Sequence, residues 1–374
     1  MPPTLIDIRS AEDLRDVVHL AVQALAEGKL VAFPTETVYA VAASALDPGA
    51  AAKLLRAKRR KPGQQPLTLA VKSADDALDY VPGMSRLAQR LARRCWPGPV
   101  TLVCDDDHPE SVLTRLPPPV REAVAPTGTV GLRVPRHQVF LDVMRMMAGP
   151  IVVSSANRSG EPDSQTATDV VQSLGDDVHL ILDDGQSHFG VPTTVVRVKD
   201  NELELLRVGV VSEQTLRRLA SLVILFVCTG NTCRSPMAET IARKLIADRL
   251  GCRIEELEDR GVIVQSAGLS AMSGGGAAQE AVDVMAAMGL DVSAHESQPL
   301  TGQMVRNADI IFPMTRSHRQ AIISQWPDAG KRTELLAMDQ SDIPDPIGGP
   351  PDVYRRCAEQ LRGELDSRIA KLEL

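Results

Sequence analysis

Leu222-Val223-Ile224-Leu225-Phe226-Val227-Cys228-Thr229-Gly230-Asn231-Thr232-Cys233-Arg234-Ser235-Pro236 decides the fold of the second half of this 374-residue chain. The apolar run 222–228 has the length and composition of a fully buried strand, and such strands belong to parallel sheets covered on both faces. The loop 229–234 follows, then a helix over 235–250, with Pro236 suited to its first turn. Ligands of open α/β sheets sit outside the carboxyl ends of the strands, so this loop is where chemistry is expected. A cysteine at the strand end and an arginine six positions later serve one chemical purpose. Successive backbone N–H groups of a tight loop form an anion nest, and the helix N-terminus adds partial positive charge. Gly230 and Asn231 tolerate the positive φ that such a loop needs. Arg234 offers a planar fork to two phosphoryl oxygens. The same positive field favours the nucleophilic thiolate of Cys228, to which Ser235 can hydrogen-bond.

Outward from this loop, strands are predicted at 262–266 and 308–313 and helices at 277–289, 316–325 and 352–372, an alternation that makes right-handed crossovers. Asp342-Ile343-Pro344-Asp345-Pro346-Ile347-Gly348-Gly349 precedes the last helix. A group leaving phosphorus needs a proton, and Asp345, stiffened by a proline on each side, can supply it. An ordinary Pro-Asp-Pro turn is the competing reading of this segment.

CTGNTCRSPMAE, VQSAGL, ADIIFPMTRSHRQAI and DIPDPIGGPPDVYRRC together resemble the low-molecular-weight protein phosphatase family over 222–374. The resemblance implies a flavodoxin-like fold and a cysteinyl-phosphate intermediate without a cofactor. It makes Cys228 the nucleophile, Arg234 the phosphate-binding arginine and Asp345 the general acid, with Thr229, Gly230, Asn231, Thr232, Cys233 and Ser235 completing the phosphate loop. Tyrosine-directed members usually carry isoleucine at the position of Thr232, whereas members acting on phosphoarginine in proteins carry threonine. A phosphorylated protein is therefore the implied partner, with phosphoarginine preferred. Cys233 is placed to guard Cys228 by a reversible disulfide, or it is merely small and buried. Arsenate reductases of this fold need a further downstream cysteine pair, and only Cys252 and Cys357 remain, far apart.

In the first half, KLVAFPTET, QPLTLAV, PVTLVCD, VGLRV, PIVVSSA and HLILDD read as strands, with amphipathic helices at 10–28 and 49–60 and a closing helix at 211–222. This indicates a second α/β domain, 1–219, before the 220–374 domain. Polar residues gather at its strand ends: Thr35 and Thr37 after KLVAF, Ser155 and Asn157 after PIVV, and Arg133 inside an apolar run. An arginine there needs a buried partner or a carboxylate ligand. Lys58-Arg59-Arg60-Lys61 could neutralise a polyphosphate, or be a solvated helix end. No Walker loop or G-x-G-x-x-G is present.

PTETVYA, KRRKPGQQPL, WPGPVTLV, VGLRVP, SSANRSGEP and GVPTTVV resemble the threonylcarbamoyl-AMP synthase (YrdC-like) family over about 10–217. The resemblance implies a twisted α/β sheet and condensation of L-threonine, bicarbonate and ATP, with Mg2+ able to accompany ATP. tRNA would be met only through a partner transferase. Thr35, Arg133 and Thr193 would hold threonine; Lys58, Arg60, Lys61, Ser155, Asn157 and Arg207 would serve ATP. The chain departs from the family pattern at YAVA (39–42), Gln65, Ala70 and Val208.

Composition bounds the reading. A net charge of −7 argues against broad nucleic-acid binding, and aromatics at 3% leave little for stacking on single strands. No apolar run approaches the roughly 20 residues of a membrane span, and the start MPPTLIDIRSAEDL has no signal-peptide core, which predicts a cytoplasmic protein without membrane partners. The six cysteines lack the spacing of a disulfide framework or a zinc site, so no metal is predicted. One rival reading makes the first domain a non-catalytic nucleotide- or RNA-binding module regulating the phosphatase. Another, a redox switch of Cys228 and Cys233, would leave Arg234 and Asp345 without a task.

Overall fold

The computed structural model describes residues 2–60 and 65–374, which gather into two compact units, Met1–Leu219 and Ala220–Leu374. Among the described residues, the first unit is built on one mixed ten-stranded sheet. Its strands are β1 (Thr4–Asp7), β2 (Val31–Phe33), β3 (Ala40–Ser44), β4 (Thr68–Ala70), β5 (Val100–Asp105), β6 (Thr129–Arg133), β7 (Ile151–Ser155), β8 (Leu180–Asp183), β9 (Thr194–Lys199) and β10 (Glu202–Arg207). Their spatial order is β1-β8-β2-β3-β7-β4-β6-β5-β9-β10.

Side-chain alternation sorts this sheet into a core face and an open one. Val130 and Leu132 of β6, Leu102 and Cys104 of β5, and Val196 and Val198 of β9 are buried. Their neighbours Gly131, Arg133, Thr101, Val103, Val195 and Arg197 instead line a cavity, as a period of two requires. At the other end of the sheet, the helix Leu14–Ala26 starts on its Asp13 cap and buries Val17, Val18, Ala21, Ala24 and Leu25. Phe33 stacks on Phe140 there at 4.4 Å.

Several first-half readings need correction. Only Val31–Phe33 of KLVAFPTET is strand, because Pro34 cannot donate to a ladder, and PTET leaves the sheet as a loop. β1, β3, β9 and β10 join the strands read from the sequence. β9 and β10 form a hairpin whose turn places Asp200 at φ 52°, a conformation aspartate and asparagine accept. The closing helix is shorter than 211–222, running Glu213–Ala220.

The second unit carries β11 (Leu222–Cys228), β12 (Val262–Gly268) and β13 (Ile310–Pro313), all parallel, in the order β12-β11-β13. β11 is buried along its whole length. Leu222, Ile224 and Phe226 pack with the helices Arg234–Leu250 and Pro351–Ile369; Val223, Leu225 and Val227 pack with Val305 and Ile322 on the other face. Both faces being covered explains why the strand is continuously apolar. Among the described residues, no helix is long and apolar enough to cross a membrane.

Candidate active sites

In the second unit the chain leaves β11 at Cys228 and wraps around that thiol. Ser235 Oγ lies 2.9 Å from Cys228 Sγ, and the Asn231 backbone N–H donates to the same sulfur at 3.2 Å. Asn231 holds the curl with φ 56°; Gly230 does not adopt positive φ, so one residue rather than two supplies the left-handed turn. The Asn231 side chain explains the choice. Its amide donates to Ser235 Oγ and Ser266 Oγ, each at 2.9 Å, and its oxygen accepts from the Gln298 N–H at 2.9 Å. Behind the loop, Gly268 lets the chain come close: a Cβ there would stand 2.5 Å from Thr229 O and 2.9 Å from Asn231 N.

Arg234 opens the helix Arg234–Leu250 and is only 4% exposed. Its guanidinium donates to Ile343 O at 3.1 Å and forms an ion pair with Asp345. The loop 342–349 thus lies against the phosphate loop. Thr229 Oγ1 pairs with His318 Nε2 at 2.9 Å. Burial, with the Arg234 charge next, pushes His318 down to about 4, so the imidazole is neutral near pH 7. Thr232 is partly exposed, its hydroxyl 3.6 Å from Cys233 Sγ. All six cysteines are free thiols, and Cys233 Sγ lies 3.5 Å from Tyr354 OH. Cys357, also buried, is pushed up to about 12 by its burial.

The first unit holds a cavity of about 590 Å³ on the open sheet face. Arg133, Thr193, Ser155, Arg60 and Arg207 meet at its wall. Arg133 donates to Glu36 Oε1 at 2.8 Å, to Thr37 Oγ1 at 3.1 Å and to Gly98 O at 3.2 Å. The second oxygen of Glu36 accepts from the Arg136 N–H at 2.9 Å. Arg207 donates to Thr193 Oγ1 at 2.6 Å. Burial lowers both Arg60 and Arg207; the Arg207 charge adds to the effect on Arg60, and Arg133 adds to that on Arg207. Arg133 is paired with Glu36, while Arg60 and Arg207 bring two further guanidiniums to the same space.

Three predicted residues, Thr35, Lys58 and Asn157, stand behind the wall rather than on it. Thr35 is buried, its hydroxyl donating to Val38 O at 2.6 Å, and Thr37 faces the cavity instead. Lys58 is fully buried and donates to Ser155 O at 2.6 Å, Asn157 Oδ1 at 3.0 Å and Asn157 O. Burial, with Arg60 next, depresses it to about 7. Lys61 lies outside the described residues. Among the described residues, no group of three His, Cys, Asp or Glu gathers to hold a metal.

Comparison with known proteins covers both units. Residues 23–209, half of the chain, match the Sua5/YciO/YrdC family, described as telomere recombination, and residues 223–373 match the low molecular weight phosphotyrosine protein phosphatases. The chain belongs to both families. It is 37% identical over 152 residues to a protein-arginine-phosphatase of Bacillus subtilis, a match spanning 40% of this chain and 94% of that protein. It is 35% identical over 192 residues to a threonylcarbamoyl-AMP synthase of Pyrococcus abyssi, spanning 51% of this chain and 54% of that one. The chain thus spans about half the length of that synthase. A solved structure of P. abyssi Sua5 shares the fold, with a TM-score of 0.52 at 22% identity, covering 89% of this chain and 98% of that one. The fusion of a Sua5/YrdC unit with a phosphatase unit is therefore a property of this chain.

Sequence reasoning missed the residues that hold the predicted ones in place. Glu36 grips Arg133 beside the already noted Thr37, while Ser266, Gln298 and His318 brace the phosphate loop. Glu36 had a signal, since a carboxylate just after a buried strand needs a cation. His318, inside an amphipathic helix, had none.

Proposed function

We propose that this chain is a bifunctional enzyme. Its second unit removes phosphoryl groups from protein through Cys228, and its first unit makes threonylcarbamoyl-AMP from threonine, bicarbonate and ATP. The observation that carries the first activity is the convergence on one loop of a thiol held by Ser235 and Asn231, a buried guanidinium and the half-exposed carboxyl group of Asp345. The Cys228 thiolate attacks phosphorus in line while Arg234 and the loop N–H groups hold the phosphoryl oxygens. The bond to the leaving nitrogen or oxygen breaks, and Asp345 gives that atom its proton. Asp345, now a carboxylate, takes a proton from the water that attacks the cysteinyl-phosphate. Inorganic phosphate leaves and the thiolate is restored.

Phosphoarginine is the substrate this site suits. Its guanidinium brings N–H donors to the loop wall, where the partly exposed Thr232 hydroxyl can accept. Isoleucine has the same branched shape and no acceptor, and a site built to hydrogen-bond a polar group discriminates against partners lacking it. Thr232→Ile should therefore reverse or erase the preference for phosphoarginine over phosphotyrosine peptides, read as a ratio of kcat/KM. An unchanged ratio would remove Thr232 from specificity.

In the first unit, the threonine amine adds to bicarbonate, and the resulting carbamate oxygen displaces pyrophosphate from the α-phosphorus of ATP, with water lost overall. Arg133 and Thr193 hold threonine; Arg60, Arg207 and Ser155 hold phosphates, braced by Lys58 and Asn157. Mg2+ enters with ATP as its counter-ion. A partner transferase then passes the threonylcarbamoyl group to tRNA, in the cytoplasm. Pyrophosphate release that requires threonine and bicarbonate together tests this half; ATP turnover indifferent to both would leave a nucleotide-binding module.

A further inference from the structure

The roles above leave the outer end of the first unit's cavity without a task. Gly131 of β6 pairs with Val103 of β5, Val103 with Arg197 of β9, and Arg197 with Glu204 of β10. These four residues make one row across the sheet, and all four line the cavity. The row lies two residues along β6 from Arg133, a step of about 7 Å. Arg207, given above to the phosphates, ends β10 three residues after Glu204, so the row sits about 10 Å along that strand from it, roughly one ribose beyond the phosphates.

Gly131 is the unusual residue in this row, since strands are depleted in glycine. A Cβ at Gly131 would meet Thr101 Cγ2 at 3.5 Å and Val103 Cγ2 at 3.9 Å, ordinary contacts, so packing does not demand glycine there. Gly131 is also absent from the positive-φ residues. A glycine that neither packing nor backbone requires marks a place where a ligand comes close. Beside this bare floor stand a cation and an anion. Arg197 is steadied by Asp105 at 3.5 Å, and its Nε is buried without a hydrogen-bond partner. Glu204 is exposed next to it.

We propose that this row reads the base of the nucleotide, with adenine lying over Gly131 and Val103. The proposal rests on the reading of the cavity as a nucleotide site. Glu204 accepts from the exocyclic amine, and Arg197 donates to the neighbouring ring nitrogen. Guanine presents the opposite pattern, a carbonyl oxygen towards Glu204 and a ring N–H towards Arg197, so both contacts turn repulsive.

Calorimetric titration of the intact chain with ATP and with GTP tests this. The wild type should bind ATP about 10- to 100-fold more tightly than GTP, the range for a hydrogen bond to a charged group. Glu204→Gln, at an exposed position, should bring the ratio towards one, because an amide can serve either base. Arg197→Gln should weaken ATP more than GTP. An ATP/GTP ratio unchanged in both variants would overturn the base-reading row and leave the synthase reading standing. A selective wild type whose ratio collapses in Glu204→Gln, yet which releases no pyrophosphate with threonine and bicarbonate, would refute the synthase reading and support the row. Failure of the wild type to bind either nucleotide would overturn both.

Discussion

ATP binding to the first unit should draw a proton from solution, and Lys58 is where that proton should go. The ammonium is fully buried, and its acceptors among the described residues are uncharged groups of Ser155 and Asn157. Burial depresses it to about 7 from the ordinary 10.5. The sign follows from linkage. An unfolded chain keeps the proton that the folded chain sheds between these two values, so over that window stability rises with pH, and below it the full cost of a buried charge is present. A polyphosphate beside Ser155 adds negative charge and pulls the lysine back up. At about pH 8, with Lys58 near 7, roughly one-tenth of the free protein carries the charge, so binding should take up about 0.9 of a proton. Titrating ATP calorimetrically in two buffers of different ionisation enthalpy reads this number directly. At about pH 6 the uptake at Lys58 should fall towards zero, and Lys58→Met should take up less than the wild type at about pH 8 by most of a proton. Wild-type uptake near zero at the higher pH, or equal uptake in Lys58→Met, would refute the reasoning.

Three further outcomes are expected. Cys228→Ser should abolish phosphomonoester turnover while still binding phosphate or vanadate; hydrolysis above background would remove Cys228 as nucleophile. Asp345→Asn should slow substrates with poor leaving groups far more than activated aryl phosphates, and equal slowing would make Asp345 structural. Arg133→Ala should weaken threonine binding by about 2–5 kcal/mol with a smaller effect on ATP, and unaltered threonine affinity by calorimetry would refute its role.

The phosphate loop was legible because its chemistry is local. Nucleophile, nest, arginine and helix start occupy nine consecutive residues, and strand length alone fixes where the loop emerges. The cavity of the first unit was legible only in fragments. Arg133, Ser155 and Arg207 are brought together by three strands that are distant in sequence. A one-dimensional reading offers no distance between them. β9 and β10 could have been read, since TVVRVKDNELELL alternates on both sides of Asp-Asn, a turn signal. β3 gave no such hint, because YAVAAS is apolar at nearly every position and carries no period. The depth of Lys58 had no signal either. Its neighbours Arg59 and Arg60 give the segment the look of a solvated helix end, yet only Arg59 is exposed: Lys58 is buried and Arg60 turns to the cavity.

Arg133 and Arg234 meet the same physical demand in different ways. Each is a buried guanidinium, 7% and 4% exposed, and each leans on a carboxylate. The carboxylates differ. Glu36 has a side chain only 8% exposed, and its second oxygen is fixed by the Arg136 N–H. Removing one partner of such a pair costs about 3–5 kcal/mol, so Glu36 stays in place. Arg133 Nε and Nη2 are engaged by Gly98, Glu36 and Thr37, so the proposed threonine carboxylate would reach it through Nη1. Asp345 has a side chain 40% exposed on a loop bounded by prolines, and its other oxygen accepts from Ile347 N–H at 3.3 Å. Its exposed carboxylate is hydrated as it leaves, so its release costs less than that of Glu36. A general acid has to move between the arginine and the leaving group, whereas an orienting carboxylate must not move. The difference in burial between Asp345 and Glu36 supports the two tasks proposed for them.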